Sequence, residues 1–337
     1  MRVLVTGGAG FIGSNFIRYL LGRDPSHSVI NLDKLTYAGN LENLREVELD
    51  PRYRFVRGDI CDAALVREAA RGVDAIVNFA AESHVDRSIL AAGEFIQTDL
   101  LGTFTLLEAV KELGIPRFVQ VSTDEVYGSI ERGAFKETDS LNPSNPYSAS
   151  KAGADLLALS YCKTHRLPVL ITRASNNFGP YQYPEKVIPL FITNALDDQS
   201  LPLYGDGRNV RDWLYVLDHC AALDQVLHKG REGEIYNVGG GTEVENIALT
   251  RMILTLLGKR ETLIRPVADR PGHDRRYALD SAKLHALGWR PTHDFEGALR
   301  ETVEWYRVNE GWWRPIKSGA FKEYYEQQYM SRASGTS

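Results

Sequence analysis

The feature that most constrains the fold of this 337-residue chain is a glycine-rich turn. Gly7, Gly10 and Gly13 lie between a short apolar run at 2–6 and an amphipathic stretch at 11–21. Glycine permits a tight turn and a close approach of backbone to ligand, and a helix that begins there offers free N–H donors to a phosphate. The spacing predicts a strand, a turn and a helix that bind the pyrophosphate of a dinucleotide.

Asp33 completes this pattern, because it lies at the end of the next apolar run, 28–32. A carboxylate at that position accepts hydrogen bonds from a ribose diol and repels a 2′-phosphate, so the sequence predicts NAD rather than NADP. Two later segments fit the same site: Gly58-Asp59-Ile60 offers a carboxylate to the adenine, and Ala80-Ala81 lets the chain pass close to the cofactor. The alternative is a glycine-rich turn followed by a surface aspartate.

Strand-like and helical patterns alternate along the first half of the chain. The strand-like runs lie at 2–6, 28–32, 53–57, 74–79, 117–122 and 167–172, and the helical patterns lie at 62–71, 91–113 and 148–165. This alternation predicts an α/β fold of the Rossmann type, in which helices cover both faces of a doubly wound parallel sheet.

The pattern changes after about residue 175, where prolines and glycine turns become frequent. We expect residues 1–175 to form the cofactor domain and residues 176–330 to form mainly a smaller C-terminal α/β substrate-binding domain, since a single core stops growing at about 250–300 residues. Segments within about 212–240 are expected to return to the first domain. The tail 331–337 is expected to be frayed.

Composition excludes several classes of protein. The chain has 39 basic and 44 acidic residues and a net charge of −5, which argues against nucleic acid as a partner. It has no apolar run of the roughly 18 residues that span a membrane, and no secretory signal pattern. Cys61, Cys162 and Cys220 show no pairing or zinc pattern, and the histidines show no ligand spacing. We therefore expect a cytoplasmic protein with no bound metal.

A tyrosine and a lysine open the predicted helix at 148–165. Tyr147 and Lys151 are four residues apart and so lie on one helix face, where the ammonium group is expected to lower the pKa of the phenol. Such a pair removes a proton from a hydroxyl while a hydride leaves the carbon. A surface pair is the alternative. With the glycine turn, the pair makes the chain resemble the extended short-chain dehydrogenase/reductase superfamily, from Val3 to about Trp313.

That resemblance implies NAD bound in a Rossmann domain, with Tyr147, Lys151 and the hydroxyl of Thr123 around the reacting carbon. The cofactor-binding residues expected from the motifs and the resemblance together are Gly7, Gly10, Phe11, Ile12, Gly13, Asp33, Lys34, Thr36, Asp59, Ile60, Ala80, Ala81, Thr98, Ser122, Tyr147 and Lys151.

Two adjacent carboxylates extend the predicted chemistry. Asp124 and Glu125 follow Ser122-Thr123 at the carboxyl end of a predicted parallel strand, which is where open α/β sheets bind their ligands. An alcohol oxidation needs only the tyrosine and lysine, so two further carboxylates indicate two further proton transfers, with burial raising the pKa of one. A solvated acidic turn or a helix cap is the alternative.

Within that superfamily, the chain resembles the nucleotide-sugar 4,6-dehydratases in particular. The segments that carry the resemblance are 35–40, 81–88, 122–128, 146–151, 175–182, 184–186, 211–219 and 269–276. The resemblance implies dTDP-glucose as the substrate. Tyr147 would then take the C4 hydroxyl proton while hydride passes to NAD⁺, Glu125 would take the C5 proton, and protonated Asp124 would supply the proton that leaves with the C6 hydroxyl. Hydride would return to C6.

The last third of the chain supplies cations for a diphosphate. Residues 264–276 contain four arginines and two aspartates, a local excess of two positive charges in an acidic protein, although a solvated loop is the alternative for any one of them. The substrate-binding residues that the resemblance implies are Ser83, Thr123, Asn176, Glu185, Lys186, Val187, Pro202, Tyr204, Arg211, Asn246, Arg270 and His273.

The helix at 148–165 is apolar on nearly all sides, so we expect it to be buried on two. With the helix at 91–113 it is expected to form a four-helix contact in a homodimer, as the family does; an internal domain contact is the alternative. Two residues depart from the family pattern. Asp99 replaces an asparagine and Phe178 replaces a tyrosine.

The rival functions are another dehydratase, other reactions on the same scaffold, and a protein without catalytic activity. A UDP-glucose 4,6-dehydratase shares the Thr-Asp-Glu triplet at Thr123 and stays open. A sugar-nucleotide 4-epimerase is disfavoured by Asp124, because that reaction needs no acid at C6. A UDP-glucuronate decarboxylase is disfavoured by the same residue, because those enzymes typically have Thr-Ser-Glu at this turn. An inactive NAD-binding scaffold is disfavoured because the predicted catalytic residues are all present.

Overall fold

The protein is described by a computed structural model that covers residues 1–318, 320–325 and 328–329, so the predicted frayed tail lies outside the described residues. Its strands are β1 (Arg2–Thr6), β2 (Ser28–Asp33), β3 (Tyr53–Arg57), β4 (Ala75–Asn78), β5 (Phe118–Thr123), β6 (Val169–Ala174), β7 (Asn176–Phe178), β8 (Leu201–Tyr204), β9 (Val210–Tyr215), β10 (Ile235–Val238), β11 (Glu243–Glu245) and β12 (Ile264–Val267).

The predicted Rossmann-type parallel sheet is confirmed. Seven strands pair in the order β3-β2-β1-β4-β5-β6-β10, and every pairing among them is parallel. Because side chains alternate along a strand, Val3 and Val5 enter one hydrophobic core while Leu4 enters the other. The sheet is therefore buried on both faces, as the near-continuous apolar runs predict.

The helices are α1 (Phe11–Arg23), α2 (Ala63–Ala69), α3 (Val85–Leu90), α4 (Ala92–Phe95), α5 (Thr103–Leu113), α6 (Pro146–His165), α7 (Val187–Leu196), α8 (Val216–Lys229), α9 (Asn246–Leu257), α10 (Ala282–Ala286), α11 (Phe295–Val308), α12 (Glu310–Ile316) and α13 (Ala320–Tyr325). Helices α1 and α8 pack together on one face of the sheet, and α2, α5 and α6 pack on the other. No helix in the described ranges combines the length and the apolar character needed to cross a membrane.

The remaining strands form two small sheets beside the main one. Strand β9 lies between β11 and β7, β12 pairs with β8, and helices α7, α9 and α11 pack together. After α8, strand β10 pairs with β6 and completes the main sheet. The division of the chain at residue 175 stays a prediction.

The predicted helix at 91–113 is wrong as a single element. Helix α4 passes into a wider, π-helical turn at 96–102 before α5 continues. Helix α6 begins two residues before the predicted start at 148. The Asn145 side chain accepts a hydrogen bond from the Ser148 N–H, the Ser148 hydroxyl accepts one from the Asn145 N–H, and Pro146 is at the first helical position.

Candidate active site

A single cleft runs along the carboxyl ends of the strands of the main sheet. Every predicted cofactor-binding residue lines it, from Gly7 in the first turn to Lys151 on α6. The five predicted catalytic residues line it as well, and so do Ser83, Asn176, Glu185 and Lys186 of the predicted substrate residues. The structure thus brings the two predicted sites into one cavity, at the edge where open α/β sheets bind ligands.

The turn between β1 and α1 packs so closely against its own backbone and that of Ala80 that it needs glycine at two positions. Gly7 has a φ of +67°, and a Cβ atom there would lie 2.6 Å from the backbone nitrogen of Ala80. A Cβ atom on Gly13 would overlap the carbonyl oxygen of Gly7. Helix α1 begins directly after Gly10, with no acidic residue in its first turn to oppose an anion. The turn is therefore shaped for a pyrophosphate.

Asp33 is held at the end of β2 by two backbone hydrogen bonds. Its Oδ2 accepts from the N–H of Ala9 at 2.9 Å and its Oδ1 accepts from the N–H of Leu35 at 2.8 Å. Burial raises the pKa of Asp33, and these two hydrogen bonds oppose the shift. Each oxygen keeps a lone pair for a ribose hydroxyl. Nearby, Lys34 forms an ion pair with Asp59 at 2.7 Å.

Tyr147 and Lys151 project from the first turns of α6 towards the end of β5. The Lys151 Nζ donates to the carbonyl oxygen of Val121 at 2.8 Å, and Thr123 hydrogen-bonds to the phenol of Tyr147. The expected lowering of the tyrosine pKa is wrong for the protein alone. Burial raises the pKa of Tyr147 well above its ordinary value, and the carboxylates of Glu125 and Asp99 raise it further.

Asp124 and Glu125 begin a short 3₁₀ turn directly after β5, and the Thr123 hydroxyl caps this turn by accepting a hydrogen bond from the Glu125 N–H. Asp124 is buried, and its Oδ1 accepts from the Thr123 hydroxyl at 3.2 Å. Burial, followed by repulsion from Glu125 and Asp212, raises the pKa of Asp124 well above its ordinary value. Oδ2 of Asp124 and Oε2 of Glu125 are buried without a hydrogen-bond partner among the described residues, so both can accept one from a ligand.

Seven predicted substrate residues lie off the wall of this cleft: Val187, Pro202, Tyr204, Arg211, Asn246, Arg270 and His273. Arg270 and Tyr204 meet at Asp86, with contacts of 3.2 and 3.0 Å, and the ring of His273 packs edge-on against Tyr204. Asn246 keeps a buried side-chain oxygen without a hydrogen bond from any described residue. These seven roles stay predictions.

Glu125 lies within electrostatic reach of three cations, namely Lys186 on the cleft wall and Arg211 and Arg270 beyond it. Burial lowers the pKa of Arg211 and of Lys186, while the Glu125 carboxylate opposes that shift in each. Burial also lowers the pKa of Arg270, whereas the charges of Asp86 and then of Glu125 raise it. The cleft thus continues electrostatically towards a region of positive charge.

Sequence reasoning does not single out several residues of the cleft wall, namely Glu82, Asn177, Gln182, Tyr183 and His219. Glu82 follows Ala80-Ala81, so its position after β4 was the available indication. Burial, followed by repulsion from Asp99, raises the pKa of Glu82 to about 7. His219 lies on α8 at the end of the segment 211–219, and burial lowers its pKa to about 3.

The two departures from the family pattern have physical explanations. Asp99 is 1% exposed, and its two oxygens accept hydrogen bonds from the Ser150 hydroxyl at 2.6 Å and the Glu82 N–H at 3.1 Å. An asparagine side chain has only one acceptor oxygen for these two donors. Phe178 is enclosed by the rings of Trp213, Tyr215 and Phe295, which pack well against a ring without a hydroxyl.

The sheet order, the glycine turn with Asp33, and the Tyr147/Lys151 pair define an NAD-binding enzyme of the extended short-chain dehydrogenase/reductase class. Comparison with known proteins narrows this class. The family model described as GDP-mannose 4,6 dehydratase matches residues 4–302. A dTDP-glucose 4,6-dehydratase from Streptomyces antibioticus is 54% identical over 323 residues, which are 94% of this chain and 96% of that protein.

Solved structures similar to this chain are also nucleotide-sugar enzymes that bind NAD. The dTDP-glucose 4,6-dehydratase DesIV from Streptomyces venezuelae, with NAD and TYD bound, is 56% identical with a TM-score of 0.93, over 94% of this chain and 100% of that one. A UDP-glucose 4-epimerase from Thermus thermophilus, in complex with NAD, is 34% identical with a TM-score of 0.85, over 91% and 99% of the two chains. This chain belongs to the dTDP-glucose 4,6-dehydratases, within the wider family of nucleotide-sugar 4,6-dehydratases.

Proposed function

We propose that this protein converts dTDP-glucose into dTDP-4-keto-6-deoxyglucose and water, with NAD as a cofactor that is reduced and reoxidised in each cycle. The observation that carries the proposal is the pair Asp124 and Glu125. Each has a buried oxygen without a protein partner among the described residues, and both lie beside Tyr147 in one cleft. Oxidation at C4 needs one proton acceptor, whereas loss of water between C5 and C6 needs a further base and a further acid.

The residues of the cleft fit NAD. A side chain on Gly7 or Gly13 would collide with the backbone of Ala80 or of Gly7, so glycine is needed for the tight turn that precedes α1. Asp33 keeps acceptors for a ribose diol. When bound, NAD⁺ supplies the acceptor for the C4 hydride and returns that hydride to C6. Tyr147 lines the cleft that would hold NAD⁺, so a cationic ring bound there would favour the phenolate against the burial that opposes it.

In the first step Tyr147 takes the proton of the C4 hydroxyl. The Thr123 hydroxyl, which contacts both Tyr147 and Asp124, orients the sugar between them. Lys151 lies one helical turn after Tyr147 on α6. Its ammonium group is fixed by a hydrogen bond to the carbonyl oxygen of Val121. The resulting 4-ketone acidifies the hydrogen on C5.

In the second step the two carboxyl groups eliminate water. Glu125 takes the proton from C5, the C6–O bond breaks, and Asp124 gives its proton to the departing hydroxyl. The raised pKa of Asp124 favours its protonated form, which is the form that a general acid needs. Hydride return to C6 and reprotonation of C5 complete the product, so no net oxidation or reduction occurs.

The runner-up is the same reaction on UDP-glucose, because the catalytic residues do not read the base. An epimerase uses a closely similar fold but has no use for a buried acid such as Asp124 at C6. A decarboxylase meets the same objection. An inactive scaffold would have no need to keep two buried carboxyl oxygens without partners, which costs stability.

We also propose that the protein is a homodimer. Several large apolar side chains are exposed on neighbouring helices. They are Leu90, Ile96, Leu101 and Phe104, near and within 91–113, and Leu156 on α6. Such a group of exposed apolar residues favours contact with a second copy over contact with water. We place the enzyme in the cytoplasm, where its three free cysteines stay reduced.

The test is incubation of the purified protein with dTDP-glucose and with UDP-glucose, in separate reactions and without added NAD. We expect loss of one water from the sugar nucleotide, seen by mass spectrometry, with a preference for dTDP-glucose. Failure of both substrates to lose water, even after NAD is added, would overturn the proposal. A preference for UDP-glucose would favour the runner-up.

A further inference from the structure

The amino edge of the main sheet, opposite the catalytic cleft, carries a cluster of two histidines and an aspartate. His27 lies directly before β2, and Asp224 and His228 lie one turn apart near the end of α8. One ligand atom from each residue lies within 4.8 Å of those from the other two. Because His27 is far from the other two in sequence, spacing along the chain gives no sign of the cluster.

The cluster is largely buried and has an unsatisfied acceptor. His27 and Asp224 are 6% and 5% exposed, whereas His228 faces solvent. Oδ2 of Asp224 is paired with the Arg23 guanidinium at 2.9 Å. Oδ1 receives no hydrogen bond from any described residue, although Nδ1 of His228 lies 3.1 Å away. A buried carboxylate oxygen without a donor is costly, and a cation between the rings would satisfy it.

The two imidazole rings lie close enough together to share one ion. They are inclined by only 15°, and their centroids are 5.7 Å apart. With metal–nitrogen bonds of about 2.1 Å, two imidazoles on one zinc have centroids roughly 5–6 Å apart. Nδ1 of His228 also lies 2.9 Å from the backbone oxygen of Asp224. An outer hydrogen bond of this kind fixes the orientation of many metal-bound histidines.

We propose that His27, Asp224 and His228 bind a divalent transition-metal ion of the zinc class, which clamps the start of β2 to the end of α8. Two imidazoles and one carboxylate suit such ions, with water in the remaining positions. Closure around a tetrahedral ion brings the ligand atoms to about 3.4 Å from one another, and rotation of the exposed His228 side chain supplies that movement. The site is separate from the cleft, so it stands independently of the proposed reaction.

The positive neighbours set the strength of this site. The Met1 amino group lies 3.4 Å from Nδ1 of His27, and Arg23 shares the Asp224 carboxylate. Both oppose a second cation, while Asp24 lies close enough to His27 to favour one. We therefore expect an ion that is removed by a chelator and that stabilises the fold without being required for it.

The test is titration of the chelator-treated full chain with zinc chloride by calorimetry, and with cobalt(II) by visible absorption. We expect one equivalent to bind, a higher Tm with zinc, and a cobalt spectrum without the sulfur charge-transfer band that binding to Cys61 or Cys162 would give. His228→Ala removes an exposed side chain and leaves the core intact, and it should weaken zinc binding at least about tenfold. His27→Ala should do the same.

His285→Ala is the matched control, because this partly exposed histidine on α10 lies outside the cluster. It should leave zinc affinity and the Tm increase unchanged. The proposal is overturned if the unaltered chain binds no zinc, or if His228→Ala binds zinc as tightly as the unaltered chain. Turnover of the sugar nucleotide is not a readout here, so a failure of this site and a failure of the proposed reaction are distinguishable.

Discussion

Asp124 and Glu125 are neighbours in the sequence, yet their surroundings assign them opposite tasks. Asp124 is buried beside Glu125 and Asp212, so its proton is hard to remove. Glu125 lies within electrostatic reach of the cations Lys186, Arg211 and Arg270. Two carboxyl groups whose environments differ in this way can act as acid and base at the same pH.

Replacement of the proposed acid should separate the two halves of the reaction. In Asp124→Asn, we expect water loss to slow by about 10²- to 10⁴-fold, because the departing C6 hydroxyl has no proton donor. Oxidation at C4 should slow far less, since Tyr147 is intact. Single-turnover measurements of nicotinamide absorbance and of product mass distinguish the two rates. Asp139→Asn, at an exposed position, is the control, and an unchanged elimination rate in Asp124→Asn would refute the assignment.

Glu82 makes the stability of the unliganded protein depend on pH. Its pKa is about 7 in the folded protein, against an ordinary value of 4.5, so the folded state holds the extra proton between those pH values. The contribution of Glu82 to the free energy of unfolding is therefore fully present below about pH 4.5. It is lost as pH rises through 7, by roughly 3 kcal/mol in all.

Glu82→Gln should remove this fall. Urea unfolding of the two proteins at several pH values between 4.5 and 8 measures it, with the exposed Glu68→Gln as control. Equal pH dependence in the unaltered chain and in Glu82→Gln would contradict the assignment of the titration to this residue.

At the residue scale, the sequence predicts the cofactor site better than the substrate site. The turn from Gly7 to Gly13 and the end of β2 at Asp33 are local features of the sequence. Because β1 and β2 are parallel neighbours, both features lie at the same edge of the sheet, and no other contact is needed to bring them together. Arg211, Asn246 and Arg270 reach their positions through the small sheets and loops of the second half, where contacts between distant segments decide which side chains meet. Periodicity carries no such information, so those positions rest on the family resemblance.

At the scale of elements, α6 joins the fold to the chemistry because its first turns carry both Tyr147 and Lys151. The reciprocal hydrogen bonds between Asn145 and Ser148 fix where the helix begins. In Asn145→Ala, we expect a loss of about 1 kcal/mol in unfolding free energy, together with a lower kcat because the phenol is less firmly placed.

Ser160→Ala is the comparison for this change, since it removes an exposed hydroxyl from the same helix far from the cap. Urea unfolding and steady-state kinetics on both variants separate the two effects. A kcat in Asn145→Ala equal to that of Ser160→Ala would show that the cap does not position Tyr147.

The π-helical turn at 96–102 shows what helical periodicity leaves out. An apolar pattern over 91–113 fits one continuous helix, so the sequence predicts no interruption. The wider turn carries Asp99, which bonds to Ser150 of α6 and to the backbone of Glu82. The interruption thus depends on tertiary contacts with two other segments, and functional sites often contain such turns.

At the scale of the whole molecule, the exposed apolar side chains predict the assembly. Leu156 is 58% exposed on α6 and Phe104 lies on α5, so Leu156→Glu places a charge within the proposed interface. We expect this variant to be monomeric by light scattering coupled to size exclusion. Leu49→Glu, at a side chain that is 93% exposed outside these helices, should remain dimeric. A monomeric unaltered chain, or a dimeric Leu156→Glu, would contradict the proposed interface.

The late position of β10 in the chain has a consequence for synthesis on the ribosome. Strand β6 is complete at Ala174, but its partner strand ends at Val238, more than sixty residues later. Until that partner emerges, β6 presents an open, apolar edge to the crowded cell. A nascent chain stalled between these points is expected to aggregate or to recruit chaperones, and a truncated fragment ending near residue 175 should be insoluble where the full chain is soluble.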